Sequence, residues 1–213
     1  MSQPEDEGLA MARDYMVRTQ IEARGVSDPR VLEAMRRVPR DRFVPEIFRL
    51  HAHQDHPLPL GLGQTISQPY IVAYMAEELR LAGHERVLEV GSGCGYMAAV
   101  LSLLAKDVYG IELEAELHER SEAVLQALGY DNIHLRRGNG REGWREKAPF
   151  DAVLVSCAAE SVPKVLWEQL AEDGRLLVPL DTAFGYQQLV LMAKRPHGRE
   201  IRELIAVSFV PLR

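Results

Sequence analysis

A run of glycines follows an apolar stretch near the middle of the chain. Residues 87–90 read Val-Leu-Glu-Val, and glycines stand at positions 91, 93 and 95. Glycine lets the backbone come close to a ligand, and free N–H groups converge where a helix begins. We therefore expect a strand, a tight turn and a helix that together hold a nucleotide-like ligand. A turn that only joins strand and helix is the alternative.

The spacing of these glycines separates two classes of ligand. The dinucleotide fingerprint G-x-G-x-x-G requires glycine at position 96, which is Tyr96, so a nicotinamide cofactor is disfavoured. Glu112 closes the next predicted strand, 21 residues after Gly91. A carboxylate there can accept hydrogen bonds from both ribose hydroxyls of a nucleoside. Taken alone, however, it could equally be a surface glutamate.

A second unusual segment, Gln64–Pro69, lies upstream in a long connection rich in His, Pro and Gly that covers residues 51–68. Long loops inside compact domains are usually functional or mobile. Ser67 or Gln68 could cap a helix that opens at Pro69. By composition alone, capping is the favoured role for Ser67.

These residues need a scaffold, and the rest of the pattern predicts one. Helices are expected over 8–24 and from Asp28, where Asp-Pro supplies the cap and the first-turn proline. Strands and helices then alternate, which is typical of a doubly wound α/β fold with a mostly parallel sheet. The expected strands are 86–90, 107–111, 133–135, 151–155, 175–179, 187–194 and 201–210, and the expected helices are 69–82, 95–105, 114–128 and 162–171. The last two strands should form an antiparallel hairpin through Pro196–Gly198.

Composition sets limits on the function. With 213 residues, 46% of them hydrophobic, the chain fits one domain, comprising an N-terminal helical extension and loop over 1–68 and an α/β core over 69–213. A net charge of -6 provides no basic surface for nucleic acid, and no apolar run is long enough to span a membrane. The acidic segment Met1–Glu7 does not have the pattern of a secretory signal, and two cysteines fit a reducing compartment. A cytoplasmic protein is expected.

The motif E-x-G-x-G-x-G resembles the first motif of the Rossmann-like methyltransferases that bind S-adenosylmethionine. This resemblance implies S-adenosylmethionine as cofactor and Asn139, after the third strand, as its adenine contact. An amide can both accept from an exocyclic amine and donate to a ring nitrogen. An ordinary Asn-Gly turn is the alternative. The implied cofactor-binding residues of this part of the chain are Glu89, Gly91, Ser92, Gly93, Glu112, Leu113, Asn139 and Gly140.

Residues 57–69 read P-L-P-L-G-L-G-Q-T-I-S-Q-P and resemble the hallmark loop of the protein-L-isoaspartate (D-aspartate) O-methyltransferases. The similarity extends over nearly the whole chain, from Arg24-Gly25-Val26 to the ending Phe209–Leu212. It implies methyl transfer to the free α-carboxylate of L-isoaspartyl residues in damaged proteins and peptides, the first step of repair through a succinimide. It also implies Ser67 as the catalytic residue, and Gln64, Thr65, Ile66 and Ser67 as lining of the cofactor pocket. A monomer with an open cleft is expected, because the substrate is a segment of another protein.

Several positions depart from the family pattern. Asn139 stands where the family usually has aspartate, Leu180-Asp181 replaces Val-Gly, and Ser208 replaces a common arginine. These departures leave two alternatives open: a cofactor-binding homologue with lost or altered catalysis, and a methyltransferase for another carboxylate.

Two further groups of residues invite other chemistry. Three histidines and Asp55 fall within residues 51–56 and could ligate a metal. The family often carries a similar run before Pro-Leu-Pro, so no metal is expected. Cys94 and Cys157 should both lie at the carboxyl edge of the sheet; two independent buried thiols are expected there, and a redox pair is the alternative hypothesis.

Overall fold

A computed structural model of the protein describes residues 4–213. The predictions made for Met1, Ser2 and Gln3, as part of the N-terminal segment, lie outside the described residues. None of the helices between residues 4 and 213 combines the length and the apolar content that crossing a bilayer requires.

The N-terminal extension is helical, as its pattern predicts. Helix α1 (Pro4–Met16) continues through a π-helical turn and a 3-10 turn and stops at Gly25, whose φ of 99° is left-handed. Helix α2 (Pro29–Arg37) begins at Asp28, whose side chain accepts a hydrogen bond from the Arg30 backbone N–H. Asp28 and Pro29 therefore take the cap and first-turn positions expected of them.

The connection over 51–68 is more regular than predicted. It contains an antiparallel hairpin of strands β1 (Leu58–Gly61) and β2 (Gln64–Ile66), in which Leu58 pairs with Ile66. The expectation of a plain loop is wrong here, because Leu58 and Leu60 are buried and fix one face of the hairpin. Helix α3 (Pro69–Glu78) follows and ends earlier than predicted, since Arg80 takes a left-handed φ of 46°.

In the described part of the chain, seven strands form one sheet in the order β5-β4-β3-β6-β7-β8-β9. The strands are β3 (Arg86–Val90), β4 (Asp107–Glu112), β5 (Ile133–Arg137), β6 (Phe150–Val155), β7 (Leu170–Asp181), β8 (Gln187–Arg195) and β9 (Gly198–Val207). The first five in spatial order are parallel, and β8 and β9 are antiparallel to their neighbours. The predicted α/β doubly wound fold with a C-terminal antiparallel hairpin is confirmed.

The remaining helices are α4 (Tyr96–Ser102), α5 (Ala115–Ala127) and α6 (Lys164–Glu168). The helix predicted over 162–171 is thus only five residues long. Pro163 precedes its first turn, and Leu170 already pairs with Phe150 as part of β7. Sheet pairing therefore takes the residues that apolar periodicity alone would assign to the helix.

Both faces of the central strands are buried, which explains their apolar runs. In β3, Leu88 and Val90 pack on one face with Phe150 and Leu166, while Val87 packs on the other with residues of the N-terminal helices. Glu89 interrupts this pattern, because its side chain is 1% exposed between Leu88 and Val90. A carboxyl group buried in a central strand is costly unless a partner or a ligand compensates it.

Candidate active site

The site lies where the strand order reverses, between β3 and β6. Val90 pairs with Val155, and the Ser156 backbone N–H donates to Val90 O at 2.8 Å, so the carboxyl ends of both strands meet. The glycine turn leaves β3 at this point, with Gly91 at a φ of 80°. A Cβ at Gly91 would lie 3.2 Å from the Cys157 Sγ. Ligands of doubly wound sheets bind in such a crevice.

Glu112 ends β4 beside the glycine turn and is buried. Its Oε2 accepts from the Gly93 N–H at 2.7 Å, and its Oε1 accepts from the Glu114 N–H at 2.9 Å. Each oxygen keeps a further lone pair, so both can still accept from the hydroxyls of a ribose. The backbone thus holds the carboxylate in the position that the nucleoside prediction requires.

A second carboxyl group, that of Glu89, lies in β3 just before the glycine turn. Its Oε1 accepts from Ser156 Oγ at 3.0 Å, and its Oε2 has no hydrogen-bond partner within residues 4–213. Burial raises the pKa of Glu89 to about 8; the Ser156 bond opposes this shift and the Glu112 charge adds to it. Burial therefore favours the protonated form of the Glu89 carboxyl group. Ser92 Oγ, also buried, likewise has no partner in that part of the chain.

Three cavities surround these groups and share Thr65 and Ser156 in their walls. The β4-side cavity is lined by Gln64, Thr65, Val90, Gly91, Gly93, Ile111, Glu112, Leu113, Gly140, Ser156, Cys157 and residues 210–213. The buried cavity is lined by Thr65, Ile66, Ser67, Val72, Met75, Glu89, Gly91, Ser92, Gly93, Cys94, Tyr96, Met97 and Ser156. The outer cavity, of about 400 Å³, is lined by Pro57, Thr65, Ser67, Gln68, Ile71, Ser156 and residues 207–210.

The structure therefore brings eleven of the twelve residues proposed for cofactor binding to these cavities, with Asn139 as the exception. Asn139 Oδ1 accepts from the Arg141 N–H at 3.0 Å and caps a short 3-10 helix over Gly140–Glu142. Gly140, next to it, does line the β4-side cavity, where a Cβ would lie 2.3 Å from Val90 Cγ1. Adenine binding by Asn139 stays a prediction.

Ser67 forms part of the wall of both the buried and the outer cavity. It precedes α3, whose N-terminus has Gln68 in the cap position and no side-chain cap bond. The Gln68 amide instead donates to Asp55 O at 3.0 Å. The capping role suggested by composition is thus wrong for both residues.

Two parts of the wall were missed by sequence reasoning. Ser156 lines all three cavities, and its only signal in the sequence is its place directly after an apolar strand. The C-terminal segment closes the β4-side cavity, held by Arg141, whose Nη2 donates to Leu212 O at 2.7 Å, and by an Arg213–Glu114 ion pair. Local sequence could not place this segment in the cavity wall, because its position depends on contacts with residues that are distant in sequence.

The histidines of residues 51–56 are separated from one another. His53 is buried near Asp41 at 3.7 Å, whereas the His56 ring contacts Pro57 O and Gln54 Oε1 on the surface. Residues 4–213 hold no group of three or more His, Cys, Asp or Glu placed to bind a metal. Both cysteines are free and buried, and burial raises their pKa values, to about 11 for Cys94 and about 12 for Cys157.

The donor set fits a cofactor that carries a ribose and a charged tail. Glu112 lines the β4-side cavity and could accept from ribose hydroxyls, the glycines allow close approach of the backbone, and Glu89 offers an unpartnered oxygen in the buried cavity. Together with the sheet order, this site defines an S-adenosylmethionine-dependent methyltransferase with a Rossmann-like fold.

Comparison with known proteins identifies the family. The chain belongs to the protein-L-isoaspartate (D-aspartate) O-methyltransferase family, whose pattern it matches over residues 11–213. It is 58% identical over 201 residues to protein-L-isoaspartate O-methyltransferase 2 of Anaeromyxobacter sp. (strain Fw109-5), covering 94% of this chain and 83% of that protein.

Solved structures agree with this assignment. A protein-L-isoaspartate O-methyltransferase matches with a TM-score of 0.84 and 27% identity; the match covers 93% of this chain but only 65% of that one. A β-aspartate methyltransferase from Plasmodium falciparum, in complex with S-adenosyl-L-homocysteine, matches with a TM-score of 0.82 and 25% identity over 94% of this chain and 98% of its own.

Proposed function

We propose that the protein transfers a methyl group from S-adenosylmethionine to the free α-carboxylate of L-isoaspartyl residues in damaged proteins and peptides. The resulting ester closes to a succinimide, which opens partly to normal aspartate. One observation carries this proposal beyond family membership: Ser67 lies in the wall shared by the buried cavity, where the glycine turn and Glu89 are, and the outer cavity, which is open to a larger partner.

The reaction needs no general base. The α-carboxyl group of a peptide has a pKa of roughly 3.5, so it is already ionised near neutral pH. S-adenosylmethionine supplies an electrophilic methyl group on a sulfonium. As the carboxylate oxygen bonds the methyl carbon, the methyl–sulfur bond would break and S-adenosylhomocysteine would leave as a neutral thioether. Opposite charges would thus disappear, so alignment and exclusion of water would contribute most of the acceleration. The described lining of the outer cavity includes no Lys or Arg, which avoids overstabilising the carboxylate before reaction.

Individual residues then have distinct roles in this proposal. The Ser67 hydroxyl donates to the substrate carboxylate and orients it, while the hairpin of β1 and β2 covers the reacting groups. Glu112 would accept from the ribose hydroxyls of the bound cofactor. The unpartnered Oε2 of Glu89 would accept from its ammonium group, which would lower the pKa of Glu89 again. Binding and deprotonation of Glu89 are thereby coupled.

We also propose that residues 1–213 act as one methyltransferase domain, monomeric and cytoplasmic. One apolar cluster supports the first point, because it joins Met16 and Ile21 of the extension to Val87 and Leu101 of the core. The outer cavity supports a monomer, since a substrate that is itself a protein needs an open approach. Two free cysteines agree with a reducing compartment.

The test is methyl transfer from labelled S-adenosylmethionine to an isoaspartyl peptide, with the same peptide carrying normal aspartate as control. We expect a base-labile methyl ester on the first peptide only. Equal labelling of both peptides, or labelling of neither, would contradict the proposal. Calorimetry with the cofactor alone separates a failure of binding from a failure of transfer.

A further inference from the structure

The turn between β7 and β8 presents two aromatic rings to solvent. Phe184 is 87% exposed and Tyr186 is 48% exposed, with ring planes at 12° and centroids 6.5 Å apart. The turn itself is ordered, because both the backbone N–H and Oγ1 of Thr182 donate to Tyr186 O, at 2.8 and 2.7 Å. Exposed aromatic side chains on an ordered support are typical of an interaction surface.

This turn continues the wall of the outer cavity. Gln187 follows Tyr186 and pairs with Val207 of β9, and its side-chain amide bonds the backbone of Phe209 twice, at 2.6 and 3.2 Å. Val207 and Phe209 both line the outer cavity. Three residues span at most about 11 Å, so the Cα of Phe184 lies within that distance of Gln187, the strand neighbour of the cavity-lining Val207.

The protein surface beside this turn is negatively charged. Ala159 bridges Leu180, and the Asp181 N–H donates to Ala159 O at 3.0 Å, so Asp181 and Glu160 leave neighbouring chain segments at one edge. Both side chains are exposed, and neither forms an ion pair within residues 4–213. Such charges attract a basic segment and repel an acidic one.

We propose that Glu160, Asp181, Phe184 and Tyr186 form a docking rim for the polypeptide segment beside the isoaspartyl residue, and that this rim selects segments with apolar and basic side chains. The inference rests on the proposed function, because it assumes a peptide acceptor in the outer cavity. About 400 Å³ is near the lower end of the range for small-molecule pockets, so the flanking residues of a protein substrate extend beyond the cavity and need a surface outside it.

The aromatic part is tested with the double variant Phe184→Ala/Tyr186→Ala and two isoaspartyl peptides. One is a tripeptide, and the other has ten residues with aromatic and lysine side chains beside the isoaspartate. Because interface aromatics are frequent hot spots, we expect KM for the long peptide to rise roughly 5- to 20-fold. The kcat value, the cofactor Kd and KM for the tripeptide should stay unchanged. Ile201→Ala, at a 52% exposed position of β9, is the matched control.

The charge part is tested with Glu160→Gln/Asp181→Asn and a pair of ten-residue peptides that differ by Lys or Glu next to the isoaspartate. The unmodified protein should favour the lysine peptide in kcat/KM, and the variant should reduce that preference roughly 3- to 10-fold, more at low salt. Glu119→Gln, an exposed carboxylate on α5, is the control.

If the unmodified protein methylates both peptides and neither double variant changes KM or the preference for the lysine peptide, the docking rim is refuted. If it methylates no isoaspartyl peptide, the proposed function itself fails.

Discussion

Ser156 Oγ donates a 3.0 Å hydrogen bond to Oε1 of Glu89, across 67 residues of sequence and between the ends of two adjacent parallel strands. The bond satisfies one oxygen of a carboxyl group that is 1% exposed and leaves the other without a partner in the described chain. The burial of an ionised Glu89 therefore costs stability that protonation or a bound cationic group would offset, and this cost makes its binding role testable without an activity assay.

Glu89→Gln should flatten the pH dependence of stability on the alkaline side. In the folded protein the pKa of Glu89 is about 8 against an ordinary value of 4.5, so the unfolded chain binds fewer protons between these values. Stability without ligand accordingly falls as pH rises through this window, by about 1 kcal/mol per unit, and the variant removes that slope. Urea unfolding at pH 5, 6.5 and 8 measures it, and parallel curves for both proteins would contradict the assignment.

The same variant should bind S-adenosylmethionine roughly 10-fold more weakly, since a neutral amide cannot take the place of a carboxylate facing an ammonium group. Calorimetry at pH 7 measures this change. Ser156→Ala is the matched comparison: it removes the bond to Oε1 and keeps the carboxyl group. It should weaken binding less than Glu89→Gln does.

Ser67→Ala should lower kcat for an isoaspartyl peptide about 10- to 100-fold, less than the roughly 100- to 1,000-fold loss of an oxyanion-hole donor, because the carboxylate loses charge as it reacts. Cofactor affinity should change less than twofold. The melting temperature should hold, because α3 has no side-chain cap bond for the variant to lose. A normal kcat combined with a lower melting temperature would instead assign Ser67 a structural role.

The strands of the α/β core can be predicted from local sequence, because they are apolar runs bounded by glycine, proline or charged residues. For this reason the predicted and observed bounds of the strand Arg86–Val90 are the same. The hairpin of β1 and β2 cannot be predicted in this way, because Pro59 and two glycines obscure its alternation of buried and exposed residues. The register of the hairpin depends on the packing of Leu58 and Ile66 against the core, and local sequence gives no information on that packing.

The residues of the candidate site can likewise be predicted only in part from local sequence. Gly91, Glu112 and Ser67 could be recognised because motif spacing or family resemblance marks them. Ser156 could not be recognised from sequence. Its hydrogen bond to Glu89 depends on the pairing of β6 with β3, which brings residues 67 positions apart together. Asn139 was recognised by position, yet its side chain caps Gly140–Glu142 and does not line the three cavities.

Asn139→Asp should raise affinity for S-adenosylmethionine about 3- to 10-fold, because a charged acceptor bonds an exocyclic amine more strongly than an amide oxygen does. Aspartate can also keep the cap on Arg141, so the melting temperature should not fall. Asn139→Ala should lose about 1 kcal/mol of stability with the cap. Calorimetry and thermal unfolding of both variants measure these effects, and equal affinity in all three proteins would exclude an adenine contact.

His53→Gln should make the protein more resistant to acid. Burial lowers the pKa of His53 to about 4; Asp41 opposes this shift, and Arg13 and Arg40 add to it. The imidazole is thus neutral in the folded protein, and its 3.7 Å contact with Asp41 is not an ion pair at neutral pH. The unfolded chain binds a proton from about pH 6.5 downward, so this stability is present above that pH and is lost as pH falls towards 4.

The loss through His53 amounts to at most about 3 kcal/mol, and the variant should not show it. Urea unfolding at pH 7, 5.5 and 4.5 measures the difference between the two proteins. His197→Gln, in the exposed turn between β8 and β9, is the control and should leave the difference between pH 7 and 4.5 as it is. If His53→Gln loses stability between pH 7 and 4.5 as steeply as the unmodified protein does, the neutral buried imidazole is not the source of the acid sensitivity.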